Sequence, residues 1–278
     1  MKAYIEILRP VNCIMAAFAV GIGIQISGAT LYFSRILLIV PLAFIVAFLI
    51  CGFGNVINDY FDYEIDRVNR PSRPIPGGKI SLENAHIYAI VLIISGNILA
   101  IPLGEAAIAM AVFNSIMLYL YAWRIKNRGG LLKNITVSYL VASPFIYGGI
   151  VSGKPESTLV LAALAGLANI SREIVKDIED IRGDSKYAKT LPSKIGIRKS
   201  SFVAAIFLIS AVAISPIPYI TGLLGIYYIP AVVLTDLIFL SAVFELPGFR
   251  EGYAKKIQKK IKIGMLFGLV AFLLGSFH

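Results

Sequence analysis

Long apolar blocks recur along almost the whole chain, and they constrain its fold more than any other feature of the sequence. Each block is roughly 17–25 residues long, the length of helix that crosses about 30 Å of hydrocarbon. Only 15% of the 278 residues are charged, whereas a soluble domain usually carries about 25%. The sequence therefore predicts an all-α fold, a polytopic transmembrane helical bundle that forms a single domain over residues 1–278.

About nine candidate spans can be placed, and the positive charges orient them. With a cytoplasmic N-terminus, the inner connections hold every Lys and Arg except Arg35 and Lys154. This positive-inside bias predicts a multi-pass protein of the cell membrane, whose basic cytoplasmic face favours anionic lipids and anionic substrates. No soluble basic domain is present to bind nucleic acid, and no obligate protein partner is evident. The predicted spans are 11–27, 36–57, 84–102, 106–123, 134–151, 158–176, 202–219, 223–243 and 261–277.

Two acidic clusters follow the second and sixth predicted spans. In the first cluster, Asn58, Asp62 and Asp66 are spaced i, i+4, i+8, so on a helix they drift by only about 80° and share one face. Asp59 lies in the same cluster. No Gly or Pro interrupts the segment, which predicts that it continues the helix of the second span.

The second cluster carries Glu173, Asp177, Asp180 and Asp184, spaced i, i+4, i+7, i+11. On a continuous helix these carboxylates fall within roughly 60° of each other. Gly183 is expected to end the helix just before Asp184. Each cluster is therefore predicted to present several oxygen ligands on one face, at the cytoplasmic end of a span.

Acidic helix ends of this kind have two interpretations. One is a solvated face that forms salt bridges with nearby Lys and Arg. The other is a site for a hard cation, favoured here because like charges at i, i+4 repel unless something neutralises them. Mg²⁺ prefers a few carboxylates, water and phosphate oxygens, and the clusters contain no Cys or His that would indicate zinc. Cys13 and Cys51 lie in apolar blocks and are interpreted as core residues.

Basic residues surround both clusters. Positive-inside topology accounts for most of them, but some are candidates to bind phosphate, since Arg forks and Lys point charges match phosphate oxygens. A metal ion and such bases together would absorb the charge that develops on a diphosphate leaving group. The candidate substrate-binding residues are Arg67, Arg73, Lys126, Arg172, Lys176 and Lys189.

Residues 58–66 (NDYFDYEID) resemble the N-D-x-x-D-x-x-x-D motif of the UbiA superfamily of intramembrane prenyltransferases. Residues 180–184 (DIRGD) are similar to the second motif of that family, D-x-x-x-D, and residues 70–77 (RPSRPIPG) and 189–192 (KTLP) also match. The resemblance implies that Mg²⁺ bridges the motif carboxylates and an isoprenyl diphosphate. The diphosphate then leaves, an allylic cation forms, and an acceptor attacks it.

The resemblance also implies a role for each motif residue. Asp59 and Asp177 would lie among the metal ligands or directly behind them. The metal or diphosphate ligands would be Asn58, Asp62, Asp66, Asp180 and Asp184, of which Asp62, Asp66, Asp180 and Asp184 would be catalytic.

Within the family, residues 59–66, 121–124 (YAWR) and 172–180 (REIVKDIED) are most similar to archaeal enzymes that transfer a geranylgeranyl group to the hydroxyl of geranylgeranylglyceryl phosphate. The family's Y-x-x-x-K pattern on the fourth span is not kept, because Trp123 stands at the lysine position. The alternatives are an aromatic (quinone-type) or haem/chlorin polyprenyltransferase and, outside the family, an ion-coupled transporter that uses the intramembrane Asp236.

Overall fold

The computed structural model describes residues 1–27, 33–180, 190–246 and 253–277, and all regular structure in these ranges is helical. A π-helical turn, Tyr121–Ile125, and the short segment Lys126–Arg128 follow the helix Glu105–Leu120. The α-helices are α1 (Lys2–Leu8), α2 (Pro10–Ile26), α3 (Phe33–Phe61), α4 (Tyr63–Asn69), α5 (Leu82–Ala100), α6 (Glu105–Leu120), α7 (Gly130–Val151), α8 (Leu159–Glu179), α9 (Leu191–Ile195), α10 (Ile197–Ile214), α11 (Ile217–Ile220), α12 (Tyr228–Glu245) and α13 (Ala254–Gly275).

Seven helical segments in the described ranges are long and apolar enough to cross a membrane, or eight if the bent pair α1 and α2 counts as one span. The seven coincide with predicted spans two to eight. The predicted first span corresponds to α2, which meets α1 at a bend of 50°. The predicted ninth span corresponds to α13, whose first half is rich in lysine and therefore less apolar than a typical spanning helix. The multi-pass all-helical fold is confirmed, and the count of nine stays a prediction.

The chain divides into two compact units. The first comprises Met1–Arg124 and Pro144–Pro155, and the second comprises Ile125–Ser143 and Glu156–His278. Helix α7 contributes to both units, and Pro144, where the two parts meet, lies inside that helix. The first acidic cluster belongs to the first unit, and the second cluster belongs to the second unit.

In the first unit, α3 packs against α2 and α5, which hold the helix that leads into the first acidic cluster. Helix α2 also meets the second part of α7 at two glycines. A Cβ on Gly23 would lie 2.4 Å from the Phe145 carbonyl oxygen, and one on Gly148 would lie 2.3 Å from the Val20 carbonyl oxygen. Both positions therefore require glycine, as close helix contacts in membranes often do.

In the second unit, α8 packs against α10 and α13, and its C-terminal half contributes Ile174 and Ile178 to the buried core. Asp236 of α12 accepts a hydrogen bond of 2.6 Å from Ser215 Oγ, and Tyr228 Oη donates one of 2.8 Å to the Ser215 carbonyl. This local network gives Asp236 a structural partner within its own unit, which weakens the case for a transporter.

Candidate active site

The first motif spans the junction between α3 and α4, which is interrupted at Asp62. The predicted unbroken helix is wrong at this residue, whose φ of −87° and ψ of 1° depart from helical values. Helical hydrogen bonds nevertheless continue on both sides, from Asp62 N to the Asn58 carbonyl (3.0 Å) and from Asp66 N to the Asp62 carbonyl (2.8 Å). Asn58 Nδ2 also donates to Asp62 Oδ2 at 3.0 Å. The interruption is therefore local, and Asn58 and Asp62 share one face as predicted.

Asp59 and Asp66 are buried and are neutralised by two arginines. Arg73 Nη1 lies 3.2 Å from Asp59 Oδ1 and also donates to Asp66 Oδ2. Arg9 Nη2 donates to the same Asp59 Oδ1. The two carboxylate side chains are only 4% and 8% exposed, so pairing with cations is what makes their charged forms tolerable in the interior.

Arg9 reaches Asp59 because the chain breaks between α1 and α2. Pro10 cannot continue α1 but suits the first turn of α2, and Arg9 adopts a left-handed conformation with φ 52° and ψ 67°. Asn55 Nδ2 donates to the Leu8 carbonyl at 2.8 Å, which ties this junction to α3. A non-glycine residue held at positive φ is strained, and such strain often marks a functional site. Arg9 was not among the predicted site residues, although the Arg-Pro pair before the first apolar block was a usable signal.

Arg73 lies in the non-helical segment between α4 and α5, and buried contacts hold that segment in place. Ile75 and Ile80 are each 3% exposed and pack into the apolar core of the first unit. Gly77 N donates to the Arg73 carbonyl at 2.8 Å, and a Cβ on Gly77 would lie 2.9 Å from that same oxygen. Residues 70–77, which match the family pattern, thus form a compact loop that places Arg73 against the motif carboxylates.

Arg67, the predicted base that directly follows the first motif, makes contacts within α4. The exposed Arg67 is 3.4 Å from Glu64, and its guanidinium lies 5.6 Å from the centre of the Tyr63 ring. Lys126 follows the π-helical turn, which also carries Trp123 and places the Arg124 guanidinium 5.6 Å from the Trp123 ring. Such π-helical turns are frequent at functional sites. The sequence pattern did not predict this one.

The second acidic cluster begins on the last two turns of α8, where Glu173 and Asp177 are both buried. Asp177 Oδ1 accepts a hydrogen bond from Lys133 Nζ, and Asp177 Oδ2 accepts one from Asn134 Nδ2 at 3.1 Å. Lys133 and Asn134 lie on α7. Neither was predicted to be a site residue, and their only signal in the sequence was their position at the start of the fifth predicted span.

Of the other predicted residues in and around the second cluster, some lie within the described part of the chain and others lie outside it. Arg172 pairs with its neighbour Glu173 and donates from Nε to Asn169 Oδ1 at 3.1 Å. Lys176 lies in the last turn of α8, which ends at Glu179, and the exposed Asp180 caps that end. The predicted ligand Asp184, the predicted phosphate contact Lys189 and the predicted helix end at Gly183 lie outside the described residues.

We expect replacement of Lys133 by methionine to destabilise the protein, because it leaves the buried Asp177 carboxylate without its cation. The loss of one partner of a buried ion pair costs about 3–5 kcal/mol. Thermal unfolding in detergent should show the loss, and the exposed Arg128→Met, which removes the same charge from the same region, should not. The double variant Lys133→Met/Asp177→Asn should recover much of the stability, since Asn134 can still bond a neutral amide. An equally unstable double variant would contradict this account.

The donor set of the first motif fits a hard cation. In the described part of the chain, no three His, Cys, Asp or Glu residues lie close enough to form a complete metal site by themselves. Mg²⁺ does not need such a cage, because it is usually held by one or two carboxylates and takes its other ligands from water and substrate phosphates. Asn58 and Asp62, with Asp66 one turn further on, supply only oxygen ligands of this kind. The residues therefore fit Mg²⁺ bound together with a diphosphate.

Comparisons with known proteins agree with these features. A model of the UbiA prenyltransferase family matches residues 13–273. Digeranylgeranylglyceryl phosphate synthase of Methanococcoides burtonii is 45% identical over 284 residues, covering 99% of this chain and 100% of that protein. The synthase of the same name from Methanopyrus kandleri is 42% identical over 275 residues, covering 98% of each protein.

Two solved structures have folds similar to that of this chain. One that is described as digeranylgeranylglyceryl phosphate synthase has a TM-score of 0.85 and 38% identity, covering 99% of this chain and 98% of that chain. A UbiA homologue from Archaeoglobus fulgidus bound to GPP and Mg²⁺ has a TM-score of 0.70 at 19% identity, covering 98% of this chain and 99% of that chain. At 19% identity the second similarity supports the fold alone.

Proposed function

Because the chain belongs to the UbiA prenyltransferase family, we propose that it transfers a geranylgeranyl group from geranylgeranyl diphosphate to the hydroxyl of geranylgeranylglyceryl phosphate, in archaeal ether-lipid biosynthesis. The observation that carries this proposal is the 45% identity, along nearly the whole of both chains, to the synthase of Methanococcoides burtonii. The substrates are then a prenyl diphosphate and a lipid acceptor, and both would meet the protein at the membrane. Other relatives of similar identity have the same name, digeranylgeranylglyceryl phosphate synthase.

We propose that oxygen atoms of the motif residues would hold Mg²⁺, and that the diphosphate would be held through the metal and by basic side chains. Mg²⁺, when bound, would neutralise charge on the departing diphosphate, which lowers the barrier to breaking the allylic C–O bond. Asp59 and Asp177 would orient the motifs, because each is buried and bonded to more than one partner. The residues that would hold the metal are Asn58, Asp62, Asp66, Asp180 and Asp184. The candidates to hold the substrate phosphates remain Arg67, Arg73, Lys126, Arg172, Lys176 and Lys189.

The acceptor's hydroxyl is a weak nucleophile, and the reaction does not require its deprotonation beforehand if the allylic cation forms first. The protein must then place the hydroxyl beside the cationic carbon and provide a late proton acceptor. His86, the only histidine among the described residues, stacks on Tyr60 with ring centres 5.0 Å apart and is not proposed as the acceptor. A motif carboxylate or the released diphosphate would accept the proton instead.

We also propose the finer topology that the sequence predicts, with about nine spans, a cytoplasmic N-terminus and both motifs at the cytoplasmic side of the cell membrane. The support is the placement of Lys and Arg along the sequence. In this arrangement the phosphate groups of both substrates lie at the aqueous boundary, and their isoprenoid chains lie in hydrocarbon.

The acceptor assignment is tested by supplying purified protein with Mg²⁺, geranylgeranyl diphosphate and competing acceptors. We expect alkylation of geranylgeranylglyceryl phosphate to be much faster than alkylation of 4-hydroxybenzoate at the same concentration. The dephosphorylated glyceryl ether should react poorly, because each charge-assisted contact to its phosphate contributes about 1.5–3 kcal/mol. Mass spectrometry identifies each product. Faster transfer to the aromatic acid would overturn the acceptor assignment and leave the prenyl transfer standing.

A further inference from the structure

Arg73 is predicted to bind substrate phosphate, yet in the structure it binds two carboxylates of the first motif. We propose that Arg73 and the metal ion compete for Asp66, and that the arginine displaced from Asp66 by the metal then binds the diphosphate. The inference rests on the proposed function, since it takes Asp66 as a metal ligand. It makes Arg73 a substrate-binding residue that couples metal binding to diphosphate binding.

The competition follows from the contacts of a single nitrogen atom. Arg73 Nη1 donates to Asp66 Oδ2 and lies 3.2 Å from Asp59 Oδ1, so it bridges the two carboxylates. The Arg73 side chain is 20% exposed and the Asp66 side chain 8%, so solvent screens their interaction only weakly. A metal ion on the same Asp66 oxygen would be repelled by the guanidinium at short range, where the effective dielectric constant is low. Binding of the metal by that oxygen therefore requires Arg73 to move away.

Arg9 makes this exchange possible without leaving a buried charge unpaired. Arg9 Nη2 donates to Asp59 Oδ1, the same oxygen that faces Arg73, so Asp59 keeps one guanidinium after Arg73 departs. The two arginines also differ in how they are held. Arg9 pairs with Asp59, whereas Arg73 also pairs with Asp66, the proposed metal ligand. The geometry thus assigns Arg9 as the fixed cation and Arg73 as the exchangeable one.

The charge balance gives the exchange a direction. A buried Asp66 without a cation would be costly, so Arg73 leaves only when the metal replaces its charge. The freed guanidinium then has a planar set of donors that matches phosphate oxygens in pairs. Diphosphate and metal would consequently bind cooperatively, because each favours the position of Arg73 that the other requires.

Two affinities with opposite expected changes test the proposal. In Arg73→Gln, titration calorimetry with Mg²⁺ alone should give a Kd at least about fivefold lower than in the wild type, because a competing charged contact has been removed. With Mg²⁺ saturating, inorganic pyrophosphate should bind at least about fivefold more weakly, because its guanidinium contact is lost. A purely structural role for Arg73 would weaken both.

The matched control is Arg70→Gln, which removes the same charge from an exposed side chain three positions away. It should change the Mg²⁺ affinity by less than about twofold, because an exposed charge is screened by solvent and salt. Arg73→Lys, which keeps a charge but lacks the planar fork, should shift both affinities in the same directions by smaller factors, and it serves if Arg73→Gln does not fold.

Unchanged or weaker Mg²⁺ binding by Arg73→Gln, with a wild type that binds Mg²⁺, would overturn the competition alone. A wild type that binds no Mg²⁺ even in the presence of inorganic pyrophosphate would instead overturn the metal role in the proposed function, and the competition with it. The two failures are therefore distinguishable in the same titration.

Discussion

Replacing Asp62 with asparagine is expected to lower kcat by at least about 100-fold, because a metal that stabilises the leaving group contributes several kcal/mol and loses an anionic ligand. The fold should be retained, since an amide oxygen can still accept the 3.0 Å hydrogen bond that Asn58 Nδ2 donates. Asp180→Asn in the second motif is expected to have a similar effect. Initial rates of prenyl transfer by purified variants measure both losses.

The matched control for Asp62→Asn is Glu64→Gln, the same change of acid to amide two residues along the chain. The Glu64 side chain is 77% exposed and pairs only weakly with Arg67, itself 58% exposed, at 3.4 Å. This variant should therefore keep nearly the activity of the wild type. If the two variants had equal rates, Asp62 would have no special role, and the shared face of the first motif would be a solvated surface.

Removal of the metal is the second change with a large expected effect. The proposed reaction separates a diphosphate anion from an allylic cation, and Arg9 and Arg73 are already bonded to buried carboxylates. Without a divalent cation those bases cannot neutralise both the aspartates and the diphosphate. We therefore expect a chelator to abolish turnover, and Mg²⁺ added in excess of the chelator to restore it, since no covalent change accompanies its loss.

The transmembrane helices could be predicted from the sequence because hydrocarbon imposes a length and an apolar composition on each span. The prediction is weakest for the first and ninth predicted spans. Helix α13 carries lysines in its first half, and α2 is 17 residues long and meets α1 at a bend of 50°. In both cases the span depends on the position of the helix relative to the membrane surface, which residue types alone do not determine.

The carboxylates of the candidate site could also be predicted, because spacing along a helix determines which side chains share a face. Their partners could not. Arg9 is 50 residues from Asp59, and Lys133 is 44 residues from Asp177, so helix packing brings each pair together. The interruption at Asp62 could not be predicted either, because no Gly or Pro lies in that segment. Arg73 was identified as a functional base, but its contacts with Asp59 and Asp66 depend on a loop fold that spacing does not describe.

The most direct test of the central claim is a single assay of ether-lipid formation by purified wild-type protein with geranylgeranyl diphosphate and geranylgeranylglyceryl phosphate. The product is measured by mass spectrometry before EDTA is added, after EDTA is added, and after excess Mg²⁺ is restored. We predict formation of digeranylgeranylglyceryl phosphate in the first and third samples and none above background in the second. Full activity in the presence of EDTA, or no ether product in any sample, would contradict Mg²⁺-dependent transfer to this acceptor.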